Sequence, residues 1–169
     1  MAYTIKCVEP ANNPQLAEFE AKHGRNNLFR TMAHRPEGAQ HFMGLYESLM
    51  GPEAVVDKRL REMVYLAVSY INECSWDIER HAQPALEGGV SAAEIRFVET
   101  ENDAHFSPRE RAALRYAREL TRTGMVSDDL RYHAQELFTT DEIVELTMII
   151  GLANFANRFT NGLAVQSEH

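Results

Sequence analysis

The sequence predicts an all-α fold from three observations. Apolar residues recur at helical spacing from end to end, alternating runs of β-branched and polar residues are missing, and three Ser/Thr-x-x-Glu patterns match helix capping boxes. A chain of 169 residues, 44% of them hydrophobic, can bury a core without disulfides or metal ions. We therefore expect one folding unit, with an N-terminal helical extension over residues 1–35 and a helical domain over residues 36–169.

Four helices are predicted in the first half of the chain. Asn13 can cap the first helix, because its side-chain oxygen can accept from a backbone N–H of the first turn. Pro14 fits the first turn, where a missing N–H costs nothing. The third helix has a broad apolar stripe that predicts a core position. The fourth is closed by Gly88 and Gly89, since glycine readily adopts the left-handed conformation of a helix C-terminus. The predicted ranges are 13–24, 36–49, 57–72 and 74–87.

The capping boxes predict three more helix starts, and the last helix is predicted over residues 140–163. It is apolar around most of its circumference at first, as expected of an element enclosed by others. Its second half has a polar stripe at i, i+3, i+4 and i+7, which indicates a pocket wall, a subunit contact or simple solvation. The capping pairs are Ser91 with Glu94, Ser107 with Glu110, and Thr139 with Glu142, and the stripe consists of Asn154, Asn157, Arg158 and Asn161.

Composition excludes several classes of partner. A net charge of −8 with no run of Lys or Arg argues against a nucleic acid or an anionic membrane surface. The most hydrophobic stretch, residues 143–156, is too short to cross a bilayer. The two cysteines, Cys7 and Cys74, do not form a disulfide framework, and residues 1–10 lack the apolar core of a signal peptide. We expect a cytoplasmic protein with reduced thiols and a small-molecule substrate.

Four side chains with chemical potential lie at two fixed spacings. Glu62 precedes Cys74 by twelve residues, and His81 follows Cys74 by seven, with Asp77 between them on the same helix face. Asp77 and His81, at i and i+4, can touch, and Glu62 can accept a hydrogen bond from His81 or a water. The helix N-terminus lowers the thiol pKa of Cys74, whereas Asp77 and Glu73 raise it, so the net direction depends on burial.

The segment from Glu62 to Gly89 resembles the core motif of the AhpD-like alkylhydroperoxidase and carboxymuconolactone decarboxylase superfamily. That family has a glutamate twelve residues before a Cys-x-x-Cys, and a histidine seven after the first cysteine. Asp77 stands in place of the second cysteine, as in a related branch with an acid there. The similarity covers roughly residues 42–163. The resemblance implies an AhpD-like helical bundle that oligomerises through its helices into a homotrimer or homohexamer, without a cofactor.

Three functions follow as hypotheses. In the first, Cys74 is the redox thiol of a peroxidase, restored by an external thiol, with Glu62 and His81 as proton relay. In the second, a lyase or isomerase of the carboxymuconolactone decarboxylase type uses His81 with Asp77 or Glu62 in cofactor-free acid/base chemistry. The third is a metal-binding or non-enzymatic module built on the same four residues, although their spacing is no recognised zinc pattern. Arg158 is a candidate for holding a substrate carboxylate, and Trp76 for lining the pocket.

Overall fold

The all-α prediction is confirmed by the computed structural model, which describes residues 5–168 and contains no strand in that range. Residues 1–4 and 169, which belong to the predicted extension and domain, lie outside the described residues. The described chain forms nine α-helices and two short 3₁₀ turns. The helices are α1 (Pro14–His23), α2 (Asn27–Met32), α3 (Pro36–Met50), α4 (Lys58–Ile71), α5 (Ser75–Glu87), α6 (Ala92–Glu99), α7 (Pro108–Thr123), α8 (Asp128–Leu137) and α9 (Thr140–Leu163).

The predicted helix starts are confirmed by their capping bonds. The side chain of Asn13 accepts a hydrogen bond from the Leu16 amide at 3.0 Å. Both reciprocal bonds of the capping box are present at the starts of α6, α7 and α9. Helix α9 has the predicted bounds, and no helix among residues 5–168 has the length and hydrophobicity needed to span a bilayer.

Two helices were missed by the sequence interpretation, although α2 has an N-cap, Asn26, whose side chain accepts from the Phe29 amide at 3.1 Å. Helix α2 has six residues, which is too short for an apolar period to show. Helix α8 buries Ala134 alone, and its N-cap Ser127 makes no side-chain capping bond. These elements are held by tertiary packing more than by local pattern.

Helix α4 is the central element of the fold. Ten consecutive residues, Leu60 to Ser69, are buried, because α5, α6, α7 and α9 pack around the helix. One apolar cluster lies between α4 and the α1–α3 and α9 helices, and a second, which includes Met63 and Leu114, lies against α6 and α7. A polar side chain on α4 is therefore drawn into the interior, where it needs a partner.

The turn between α4 and α5 brings the second half of the motif back against α4. Glu73 has a φ of 51°, in the left-handed region, and the Cys74 amide donates to the Ser69 carbonyl at 3.0 Å. These two features reverse the chain within three residues. Helix α5 consequently starts beside the end of α4.

The polar stripe of α9 holds this turn. The amide of Asn72 donates to the side-chain oxygens of Asn154 at 3.1 Å and Asn157 at 2.9 Å, and Asn161 donates to the Asn72 carbonyl at 2.9 Å. These three members of the stripe serve an intramolecular contact, so neither a pocket wall nor a subunit contact is needed to explain them. The sequence did not reveal this use, because Asn72 lies eighty or more residues away from its partners.

Candidate active site

Glu62 and His81 form a close buried pair between α4 and α5. Nδ1 of His81 lies 2.7 Å from Oε2 of Glu62, and both side chains are about 95% buried or more. The imidazole also stacks on the Tyr65 ring, with centroids 3.6 Å apart. When Glu62 is ionised, Nδ1 carries the ring proton and donates a hydrogen bond to the carboxylate. Neither Oε1 of Glu62 nor Nε2 of His81 has a hydrogen-bond partner among the described residues.

The predicted contact between Asp77 and His81 is wrong. Asp77, fully buried in the first turn of α5, accepts hydrogen bonds from the thiol of Cys74 at 3.0 Å and from Asn157 Nδ2 at 2.9 Å through Oδ2. Its Oδ1 accepts from the Tyr65 hydroxyl at 3.3 Å. The carboxylate therefore faces the thiol and α9, whereas His81, one turn later, extends to α4. An i, i+4 spacing permits contact but does not decide between competing partners.

Cys74 is a protonated thiol in this arrangement. It is the N-cap residue of α5, has no exposed surface, and donates its S–H to Asp77. Burial, then the negative charge of Asp77 and its hydrogen bond, raise the pKa of the Cys74 thiol to about 12. Backbone N–H groups of Asp77 and Trp76 act in the opposite direction, but they do not outweigh burial. The question left open by the sequence is thus answered in favour of a raised pKa.

Tyr65 connects the two halves of the site. Its ring stacks on His81 and its hydroxyl donates to Asp77. On the far side, Asn157 also donates to Ser69 Oγ at 3.1 Å, so that α9 fixes the carboxylate of Asp77 from the other direction. Sequence interpretation missed the site roles of Tyr65 and Ser69, because both lie within the buried run of α4 and look like core residues.

A cavity of about 400 Å³ lies beside Glu62, between α1, α3, α4 and α5. Two polar contacts lie at its walls, an ion pair of Lys58 with Glu87 at 3.1 Å and a hydrogen bond between His23 and Glu47 at 3.0 Å. Glu62 lines the same cavity, but its close partner is His81 rather than a lysine or arginine. The lining residues are Lys22, His23, Tyr46, Glu47, Met50, Gly51, Pro52, Lys58, Glu62, Pro84 and Glu87.

Trp76 and Arg158 do not line this cavity. Trp76 is buried, and its indole N–H finds no acceptor among the described residues. Arg158 is exposed on α9, where its guanidinium hydrogen-bonds to Asn154. Within residues 5–168, no three side chains of His, Cys, Asp or Glu are grouped closely enough to hold a metal ion, which gives no support to the metal-binding alternative.

Comparisons with known proteins relate the chain to a family. The family model of the carboxymuconolactone decarboxylase family matches residues 36–119, which include all four motif residues. The chain is 27% identical over 128 residues to the uncharacterized protein YdfG of Bacillus subtilis, covering 74% of this chain and 86% of YdfG. Sequence similarity thus extends beyond the motif itself.

Solved structures share the fold. An uncharacterized peroxidase-related protein from Silicibacter superposes with a TM-score of 0.82 at 21% identity, over 96% of this chain and 87% of that one. The debrominase Bmp8 superposes with a TM-score of 0.83 at 19% identity, over 96% and 90%. Identities this low establish the shared fold and leave the reaction open. The family match assigns residues 36–119 to the carboxymuconolactone decarboxylase family, and the solved structures show that the fold is shared over nearly the whole chain.

Proposed function

We propose that this protein is a cofactor-free acid/base enzyme, a lyase or isomerase that moves a proton on a small carbonyl compound. The observation that supports this best is the position of Glu62. Glu62 lines the cavity, and its Oε2 is held by His81 at 2.7 Å, which leaves Oε1 without a protein partner among the described residues. A buried carboxylate fixed by an imidazole and open to a cavity of small-molecule size is an arrangement suited to general-base catalysis.

In the proposed reaction, Oε1 of Glu62 takes a proton from a carbon next to the substrate carbonyl. The C–H electron pair moves into the carbonyl, so that its oxygen becomes negative, and Glu62 becomes neutral. Returning the proton to a different carbon completes an isomerisation. His81 is a positioning residue, since its Nδ1 bond holds the carboxylate in one orientation and responds to the change in its charge.

The geometry favours Glu62, rather than His81, as the residue that moves the substrate proton. In the sequence hypothesis His81 moves the proton with Asp77 or Glu62 as its partner. In the structure Glu62 is the member of the pair that lines the cavity, and His81 lies behind it. We therefore assign proton abstraction to Glu62.

Solvent deuterium exchange tests this assignment. Small keto acids and unsaturated lactones are incubated with the protein in D₂O, and loss of the C–H signal is followed by proton NMR. Glu62→Gln should lower the exchange rate by about 100-fold or more, the usual contribution of a general base. The exposed pair of His133 and Glu136, 3.3 Å apart on α8, supplies the matched controls His133→Gln and Glu136→Gln. Exchange that survives Glu62→Gln would remove the proposal.

A second candidate is a thiol peroxidase, favoured by the 3.0 Å contact between Cys74 Sγ and Asp77 Oδ2. Asp77 would take the thiol proton as sulfur attacks a hydroperoxide oxygen. The O–O bond breaks, giving a sulfenic acid and an alcohol, and two molecules of an external thiol restore Cys74 as disulfide and water leave. The peroxidase-related Silicibacter structure shares this fold. The raised pKa and complete burial of Cys74 place this candidate second.

Trapping of sulfenic acid tests the second candidate. The protein is treated with an organic hydroperoxide and dimedone, and the adduct is located by mass spectrometry. A stoichiometric adduct at Cys74 that disappears in Asp77→Asn would favour the peroxidase. An adduct at the half-buried Cys7 alone serves as the internal control for non-specific oxidation.

A further inference from the structure

Tyr46, on α3, has a hydroxyl group that the proposed reaction does not use. The ring lies against Phe29, with centroids 5.7 Å apart, and against Phe19 at 6.4 Å. These contacts fix one side of the ring within the core. The hydroxyl, by contrast, makes no hydrogen bond to any residue in the described range. Because Tyr46 is only partly buried and its O–H has no partner among these residues, the group is available to a ligand.

The surroundings of this hydroxyl are those of the candidate site. Tyr46 lines the same cavity as Glu62, and its ring centroid lies 6.5 Å from that of His81. Burial, followed by the negative charge of Glu62, raises the pKa of Tyr46, so the phenol stays neutral and keeps its proton. A neutral phenol is a hydrogen-bond donor that can face a developing negative charge without adding charge of its own.

We propose that Tyr46 is a catalytic residue that donates its O–H to the carbonyl oxygen of the substrate as that oxygen becomes negative. This inference rests on the proposed function, in which Glu62 abstracts the proton. The two groups divide the work, since Glu62 receives the proton and Tyr46 stabilises the oxygen to which the electron pair moves. A donor fixed before the reaction stabilises such an oxyanion without reorganisation.

The specificity of the site follows from this pairing. A substrate needs an acidic C–H and a carbonyl oxygen on the same small molecule, placed so that one meets Glu62 and the other meets Tyr46. Compounds without a carbonyl cannot accept a hydrogen bond from the Tyr46 hydroxyl, so they lose the binding energy of that bond. The inferred substrate class is therefore the enolisable carbonyl compounds.

Binding of 4-nitrophenolate tests the inference without turnover. Its negative oxygen on a flat ring mimics an enolate, and Glu62→Gln supplies a neutral side chain in place of the protonated base. We expect Glu62→Gln protein to bind 4-nitrophenolate. Binding is measured from the change in absorbance of the anion. The double variant with Tyr46→Phe should bind it about tenfold to a hundredfold more weakly, the loss of one hydrogen bond to a charged group. Neutral 4-nitrotoluene, which has a methyl group in place of the negative oxygen, should bind both proteins equally.

Controls separate this inference from the proposed function. Tyr46→Phe removes a hydroxyl that has no partner in the free protein, so it should fold like the parent. Tyr116→Phe removes a hydroxyl 3.2 Å from Thr147, outside the cavity, and should leave phenolate binding unchanged. Equal phenolate affinity with and without the Tyr46 hydroxyl, or no phenolate binding by Glu62→Gln protein, overturns the role of Tyr46. Neither result depends on deuterium exchange, which alone decides the role of Glu62.

Discussion

Cys74 should resist alkylation at neutral pH, and replacing Asp77 by Asn should relieve part of that resistance. A thiol with a pKa of about 12 is ionised to roughly one part in 10⁵ at pH 7, whereas an ordinary thiol near 8.5 is ionised to about one part in 30. The thiolate fraction alone thus slows alkylation about three-thousandfold. Burial is the largest cause of the raised pKa and the charge of Asp77 the second, so Asp77→Asn lowers the pKa without returning it to the ordinary value.

The assay is iodoacetamide alkylation followed by mass spectrometry across pH 6 to 10, in a Cys7→Ser background. The logarithm of the Cys74 rate should rise with pH without reaching a plateau. Asp77→Asn should react about tenfold faster or more at each pH, since one pKa unit is a factor of ten. A plateau with an apparent pKa below 9, or an Asp77→Asn variant that reacts no faster, refutes the reasoning. Such a plateau would also favour the thiol peroxidase over the acid/base enzyme.

Three further predictions concern stability. The pKa of Cys74 is higher in the folded protein than in the unfolded chain, so the neutral thiol stabilises the fold fully below about pH 8.5 and this contribution is lost as pH rises toward 12. In urea unfolding, the free energy of unfolding should fall by about 2 kcal/mol more between pH 7 and pH 10 in wild type than in Cys74→Ser. Asn157→Ala removes one of the two donors to Asp77 Oδ2 and the donor to Ser69 Oγ, so it should cost about 2–3 kcal/mol in denaturant unfolding, and a loss below about 0.5 kcal/mol would contradict the network. Tyr65→Phe keeps the stacked ring but removes the O–H bond to Asp77, so it should cost only about 1 kcal/mol, and a larger loss would show that the hydroxyl does more than its 3.3 Å contact indicates.

Local signals made much of the fold predictable. Asn13, the three capping boxes and the glycines after α5 marked helix ends that the structure confirms. Helix α8 was missed because it buries little, and α2 because it is short. A capping interaction joins residues within four positions of each other, so it can be predicted from the sequence. The stability of a short helix depends on contacts with distant parts of the chain, which local sequence does not indicate.

The sequence predicted which of the candidate residues lie near one another, but not all of their contacts. Spacing placed Glu62, Cys74, Asp77 and His81 together, and the Glu62–His81 contact is present. The choice of Asp77 between His81 and Cys74 depended on Asn157, which approaches from α9. A partner eighty residues away cannot be read from local spacing.

Oligomerisation through helices stays a prediction, with an apolar surface on which to test it. Val144, Met148 and Phe155 are exposed on α9, with 53%, 44% and 53% of their surfaces accessible. Apolar side chains so exposed along one helix are typical of a surface covered by another chain. Sedimentation analysis across a range of protein concentrations measures the assembly directly.

In the proposed function, Glu62, held by His81, performs the chemistry, and Cys74 does not. The most direct measurement compares the rates of Cys74→Ser, His81→Gln and Glu62→Gln on the first carbonyl substrate that the deuterium screen identifies. We expect a rate near that of wild type for Cys74→Ser, with rates lowered about 10-fold or more for His81→Gln and about 100-fold or more for Glu62→Gln. Loss of activity in Cys74→Ser, with activity retained in Glu62→Gln, would contradict it.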